Sequence, residues 1–184
     1  MRPEDRLAAV LASRKAGRPQ KYAHFWGHRP ERDGRTGLGC FSQWWPAPIT
    51  IAAITYPTAE HWMMAEKARL FQDDAGLVKV LAARSPGAAK AAGRAILRFD
   101  EDRWAKARYD IVVTGTLAKF QQHAELAEVL QRTGKKILVE ASPTDRIWGI
   151  GLSAIDAAAA DPSRWRGLNL LGFALMDVRD ALTL

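Results

Sequence analysis

The sequence predicts an α+β domain dominated by helices, a single unit with a few short strands. Three observations carry that expectation. From Pro57 to Gln122 the chain is a near-continuous series of helical segments, broken only by short gaps. Strand-like runs are confined to short apolar stretches flanking that series, a distribution that fits segregated α+β layers rather than alternating ones. A chain of 184 residues is long enough to close one hydrophobic core without disulfides or metals.

The elements follow in order. Residues 5–14 read as a short amphipathic helix, and the flexible "AGRPQ" behind it makes residues 1–20 a helical appendage to a domain spanning 21–184. Tyr22 to Trp26 reads as a strand, and "GHRPERDGRTGLG" from Gly27 to Gly39 as a polar loop of the length that is often functional. "CFSQWWPAPITI" and "AAITYP" suggest two short strands around a proline-marked turn at Pro46 to Pro48. Helices are expected over 57–72, 74–83, 86–96 and 101–122, with Pro57 and Pro86 in first turns, where the missing N–H costs nothing. Leu126 to Arg132 continues as helix to a stop at Gly134. "KKILVEAS" returns to strand, "SPTDRIWGIGL" is a glycine-bearing loop, residues 154–160 have no clear pattern, and Leu170 to Leu182 closes the chain as a helix.

Composition narrows the function classes. A hydrophobic share of 48% with 26% charged residues disfavours disorder and membrane classes. No window has the apolar length of a membrane span, and "MRPEDRLAAVLASRKAG" is too short and too charged for a signal peptide. The lone cysteine, Cys40, permits no intramolecular disulfide, so a cytoplasmic location is expected. A formal charge of +7 favours phosphate-bearing partners, though the basic residues are scattered rather than drawn into a nucleic-acid arm.

"YPTAEHWMMAEKARLF" holds the strongest chemical candidates. Seven helical positions return a side chain to within about 20° of its starting direction, so Glu60 and Lys67 share a face with Met63 and Met64. In the first turn the helix dipole and unpaired N–H groups favour an ionised Glu60. It is then either a pocket carboxylate or simply a cap, with Lys67 snorkelling to solvent. Asp145 in "TDRIWGIGL" offers a second carboxylate for acid–base division, or an ordinary turn former. Trp104 and Arg108, four apart on one helix face, can hold a planar base and an anion, or merely stack on each other. Trp44 and Trp45 with Phe41 form an aromatic cluster that core packing would equally explain. His28, Arg29 and Arg35 of the long loop are phosphate contacts or solvated charges. His61 and His123 have no partner at metal-ligand spacing, so no metal site is expected, and dinucleotide, Walker and nucleophile-elbow motifs are absent from the sequence.

In their order, "FSQWWPAPI", "TYPTAEHWMMAEKA", "AAKAAGRA", "RWAKARYDIV", "LAKFQQHAELAEVLQRTGKKILVEASPTDRIWGIGL", "GLNLLG" and "LMDVRDAL" resemble the NADAR, or YbiA-like, family from about Phe25 to Leu182. The resemblance implies a YbiA-like fold and an N-glycosidase that needs no cofactor or metal and breaks a ribosyl C1′–N bond. Its implied substrates are ADP-ribose on guanine in nucleic acid, or phosphorylated ribosylamino pyrimidines of riboflavin synthesis. A non-catalytic ADP-ribose or nucleotide reader is the alternative. By resemblance Glu60 is catalytic, with Trp104 and Asp145 in the active site. Lys67, Arg108, Trp148 and Asn169 are the implied ligand contacts, Arg29, Phe41, Ser42, Trp44 and Gly149 are further candidate substrate contacts, and Lys67 is an alternative covalent nucleophile. One departure stands out: Gln43 occupies the place where the family's Phe-Ser-Asn block has asparagine, which puts substrate preference in question.

Overall fold

The structure, a computed structural model, describes residues 2–182. Met1 and residues 183–184, the outer ends of the ranges expected for appendage and domain, lie outside the described residues. The chain divides into two compact units, one from the N-terminal residues up to Phe41 together with those from Glu125 onward, the other Ser42–Ala124. The second is thus an insertion, in sequence, between two parts of the first.

The first unit is built on a two-stranded parallel sheet, β1 (Tyr22–Phe25) and β4 (Ile137–Glu140), paired from Tyr22 with Ile137 to Phe25 with Glu140. Helix α7 (Leu170–Ala181) packs on β4, and its first turn lies so close that a Cβ on Gly172 would collide with the Leu138 carbonyl. The expected appendage is α1 (Pro3–Lys15), which rests on α7 rather than standing clear: Arg6 bridges Asp177 and Asp180, the latter at 2.7 Å. Helix α6 (Ala124–Arg132) ends where Gly134 turns into the left-handed region, as expected. Residues 154–160, without a pattern in the sequence, hold a 3-10 turn at Ala157–Ala160, followed by another at Pro162–Arg164; Asp156 and Asp161 cap them.

The second unit opens with an antiparallel hairpin, β2 (Ile49–Ile51) and β3 (Ile54–Tyr56). Its turn falls at Ala52 and Ala53, both at positive φ, and not at Pro46 to Pro48 as the prolines suggest. A type I′ hairpin loop, which matches the twist of the strands, puts both central residues in the left-handed region, and here alanines accept that strain in place of the usual Asn-Gly. Four helices follow: α2 (Ala59–Leu70), α3 (Asp74–Leu81), α4 (Pro86–Arg94) and α5 (Glu101–Gln122). Asp73, Ser85 and Asp100 cap α3, α4 and α5 through backbone N–H groups of Gly76, Ala88 and Arg103. Pro86 occupies a first turn as expected, whereas Pro57 precedes the N-cap residue Thr58 of α2. Helix α5 ends at Gln122, and extended His123 separates it from α6, so the helical run does not pass straight through. α2 is the centre of the unit: α3, α4 and α5 all pack on it, and it is buried on nearly every side. Glu66 and Arg69 pair on its partly exposed side, whereas a charge on the enclosed sides has no solvent face, and this makes Glu60 conspicuous.

Candidate active site

Glu60 is 3% exposed in the first turn of α2. The N-terminal N–H groups of this helix are served by backbone: the Glu60 N–H donates to the Gln43 carbonyl at 3.0 Å, and the His61 N–H to that of Thr58 at 3.1 Å. Capping is therefore done by carbonyl groups, and the fold does not require a carboxylate at position 60 to do it. The Thr58 hydroxyl is also diverted from capping. It lies 2.8 Å from His61 Nδ1, while His61 Nε2 lies 3.2 Å from the Ala83 carbonyl. A carbonyl only accepts, so Nε2 carries the proton, Nδ1 is the acceptor, and the hydroxyl donates. Burial pushes the His61 pKa down, consistent with a neutral ring that ties α2 to the segment behind α3.

Two turns along α2, Lys67 donates from Nζ to the Gly93 carbonyl at 3.0 Å and stands 4.1 Å from the Phe99 ring centroid and 5.5 Å from that of Trp104. Burial lowers its pKa, with Glu101 opposing and Arg94 reinforcing the shift. Trp104 and Arg108 are both buried on one face of α5, as their spacing predicts. Arg108 reaches Glu101 at 3.1 Å through one terminal nitrogen, and its buried Nε has no hydrogen-bond partner among the described residues. Neutral carbonyl and aromatic faces hold the lysine, and the arginine keeps a donor in reserve, so this end of the cluster is suited to an anion or a planar group.

The Glu60 end is built differently. Gln43 is 6% exposed; its Nε2 donates to Thr116 Oγ1 at 3.2 Å and its Oε1 has no hydrogen-bond partner among the described residues. The fully buried Lys119 donates to the Ser42 carbonyl at 2.9 Å. Since Trp62 Nε1 also donates to the Ile111 carbonyl at 2.8 Å, α5 runs antiparallel to α2, with Lys119 and Thr116 by the 42–43 segment and Trp104 by Lys67. Ser42 turns its hydroxyl to the Trp44 N–H, and Trp44 packs over Gly87 with Lys90 above its ring.

The first unit holds the remaining candidates. Asp145 Oδ1 accepts the backbone N–H groups of Ile147 and Trp148 at 2.9 and 2.8 Å, which makes it the organiser of a tight turn. Ile147 and Trp148 then offer their carbonyls to the N–H groups of Leu170 and Leu171, covering the start of α7. Gly149 sits where a Cβ would press on the Glu140 carbonyl, at 2.8 Å. Asn169, wholly buried and left-handed at φ 54°, accepts the Glu140 N–H at 3.0 Å and donates to the Leu138 carbonyl at 2.9 Å. Its amide completes the edge of β4 that faces away from β1, so this side chain is spent on the fold. Phe41 is likewise enclosed, edge-on to Phe25 at 5.4 Å. Trp148 is half-buried and Arg29 is exposed in the long loop.

Sequence reasoning passed over Lys119, Phe99 and the capping carbonyl of Gln43. Lys119 was open to detection, because the series Trp104, Arg108, Val112, Gly115, Thr116, Lys119 keeps the three- and four-residue steps of a buried stripe. Among the described residues no group of three or more His, Cys, Asp or Glu side chains could hold a metal ion, and no helix is long and apolar enough to cross a membrane.

The NADAR domain model matches residues 24–183. The chain belongs to the NADAR family. It is 38% identical over 165 residues to N-glycosidase R617 of Acanthamoeba polyphaga mimivirus, covering 87% of this chain and 95% of that one. It is 31% identical over 146 residues to N-glycosidase YbiA of Escherichia coli K12, covering 79% and 82%. The NMR structure of E. coli YbiA matches with a TM-score of 0.71 at 28% identity, over 90% of this chain and 87% of that one, so the helix-dominated α+β fold is that of YbiA. With its relatives named N-glycosidases, this NADAR protein is an N-glycosyl hydrolase.

Proposed function

We propose that this NADAR protein hydrolyses the bond between ribose C1′ and a base nitrogen, and that Glu60 is the catalytic carboxylate. The observation supporting this most directly is the burial of Glu60 in the first turn of a helix whose N–H groups are already served by Gln43 and Thr58. Cleavage passes through an oxocarbenium-like state, with positive charge on C1′ and the ring oxygen. A carboxylate held in a desolvated, positively polarised helix terminus faces that charge without reorganising. Glu60 takes a proton from water as the water oxygen bonds to C1′. The C1′–N electron pair departs with the base nitrogen, which is protonated in turn, leaving a free hemiacetal on the sugar and the unmodified base, still in the strand where the substrate is an oligonucleotide. Trp104 stacks on the planar portion of the substrate, and Arg108 and Lys67 receive phosphate or leaving-group charge. Within the first unit, Asp145 and Asn169 hold the 145–149 turn and the β4 edge.

ADP-ribose on guanine in nucleic acid is the substrate class we favour, because a net charge of +7 suits a polyanion better than a small metabolite. Mass spectrometry of the protein incubated with ADP-ribosylated guanine oligonucleotide, and separately with phosphorylated ribosylamino pyrimidines, tests both substrate and reaction. Loss of ADP-ribose with an intact oligonucleotide is expected. Binding of ADP-ribose with release of nothing from either compound would make the protein a reader instead. The lowered pKa of Lys67 favours a second route, in which its amine attacks C1′ and the opened sugar is held as a Schiff base. Borohydride added to the same reaction would fix a sugar adduct on Lys67 under that route and none under direct hydrolysis.

A further inference from the structure

The loop after β1 forms a concavity of about 420 Å³ lined by Trp26, His28, Arg29, Glu31 and Leu38 among others, a volume in the range of small-ligand sites. Trp26 is 65% exposed, and neither its indole N–H nor the Arg29 guanidinium has a partner among the described residues. An indole left open to solvent in a concave wall gives up the burial that ordinarily stabilises a tryptophan. The loop is not slack, however. Glu31 and Arg35 close a turn, with the Glu31 N–H on the Arg35 carbonyl and the Gly34 N–H on the Glu31 carbonyl, each at 2.9 Å. Gly39 meets the Arg29 backbone so closely that any Cβ there would collide with it. Arg35 is paired with Asp33 at 2.7 Å, so these contacts hold the loop in shape and leave Arg29 available.

We infer that this concavity is a nucleoside-phosphate subsite, in which a base stacks on Trp26 and its phosphate meets Arg29. The inference rests on the glycosidase reading for its physiological ligand. Two sources share the chemistry: the adenosine phosphate end of ADP-ribose, and a nucleotide neighbouring the modified base in a single strand. A flat ring beside a guanidinium recognises either, since stacking on an aromatic side chain is tolerant of base identity. Glu31 opposes phosphate here, and its placement against Gly37 turns its carboxylate toward the loop backbone.

Calorimetric titration with adenosine 5′-monophosphate, adenosine, ADP-ribose and a short oligodeoxyadenylate tests the subsite on wild type, Trp26→Ala, Trp26→Phe and Arg29→Ala. Trp26→Ala should weaken the monophosphate at least about fivefold, with Trp26→Phe restoring most of it. Arg29→Ala should weaken the monophosphate and leave adenosine unchanged. Beside the loss for the monophosphate, a matching loss for ADP-ribose identifies the first source, and a loss for the oligonucleotide with none for ADP-ribose the second. Unchanged affinity of all four ligands for Trp26→Ala, or no binding of any of them to wild type, overturns the subsite. Release of ADP-ribose from ADP-ribosylated guanine oligonucleotide, or of the pyrimidine from its ribosylamino compound, on the same preparations keeps the two readings apart: normal release with no Trp26 effect removes the subsite only, whereas Trp26-dependent binding with no release from any ribosyl substrate removes only the glycosidase.

Discussion

Helix α2 and the loop behind β4 each hold an acidic side chain close to a helix start, and they use it in opposite ways. In the loop, Asp145 takes two backbone N–H groups, and the turn it forms supplies the carbonyls that cover the start of α7. In α2, backbone carbonyls do the covering, and Glu60 is buried at the helix start without serving as its cap. The same division separates Asn169, whose amide is consumed by β4, from Gln43, whose buried Oε1 has no hydrogen-bond partner among the described residues. Buried polar groups are costly unless they are satisfied. A fold that commits one set to backbone partners and leaves a buried acceptor open in another distinguishes scaffold from chemistry.

The largest stability effect expected from this contrast is at Asn169. Asn169→Ala orphans the Glu140 N–H and the Leu138 carbonyl and leaves a left-handed alanine, a loss of about 3 kcal/mol. Denaturant unfolding measures it, and a loss below about 1 kcal/mol would return Asn169 to the ligand contacts. A smaller effect is expected at His61. Its depressed pKa means that its contribution to stability is complete above the ordinary histidine range and is lost as pH falls through that range toward the lowered value. Melting temperature should therefore drop on acidification, and His61→Gln should flatten that part of the profile; an identical slope in the variant would show that the ring titrates freely.

The helices of the second unit were legible as a near-continuous periodic run, with Pro57 and Pro86 beside the starts of α2 and α4. Stripe arithmetic likewise located Glu60, Lys67, Trp104 and Arg108 on inward faces. The hairpin turn was hidden, since nothing in Ala52-Ala53 signals two left-handed residues. Nor does spacing reveal who satisfies whom: that Gln43 covers α2, or that Asn169 borders β4, depends on pairings across long separations. For the same reason the turn-forming part of Asp145 stood beside a catalytic one in the sequence, and only its two N–H partners distinguish the turn.

The central claim is that Glu60 performs chemistry while Asp145 performs geometry. Single-turnover release of ADP-ribose from ADP-ribosylated guanine oligonucleotide by Glu60→Gln and Asp145→Asn, side by side with unfolding curves, tests it most directly. The account predicts that Glu60→Gln folds normally and loses about 10²–10⁴-fold in rate, whereas Asp145→Asn, whose amide oxygen still accepts both N–H groups, stays within about tenfold of wild type. Near-normal turnover in Glu60→Gln, or an equal collapse in Asp145→Asn, would contradict it.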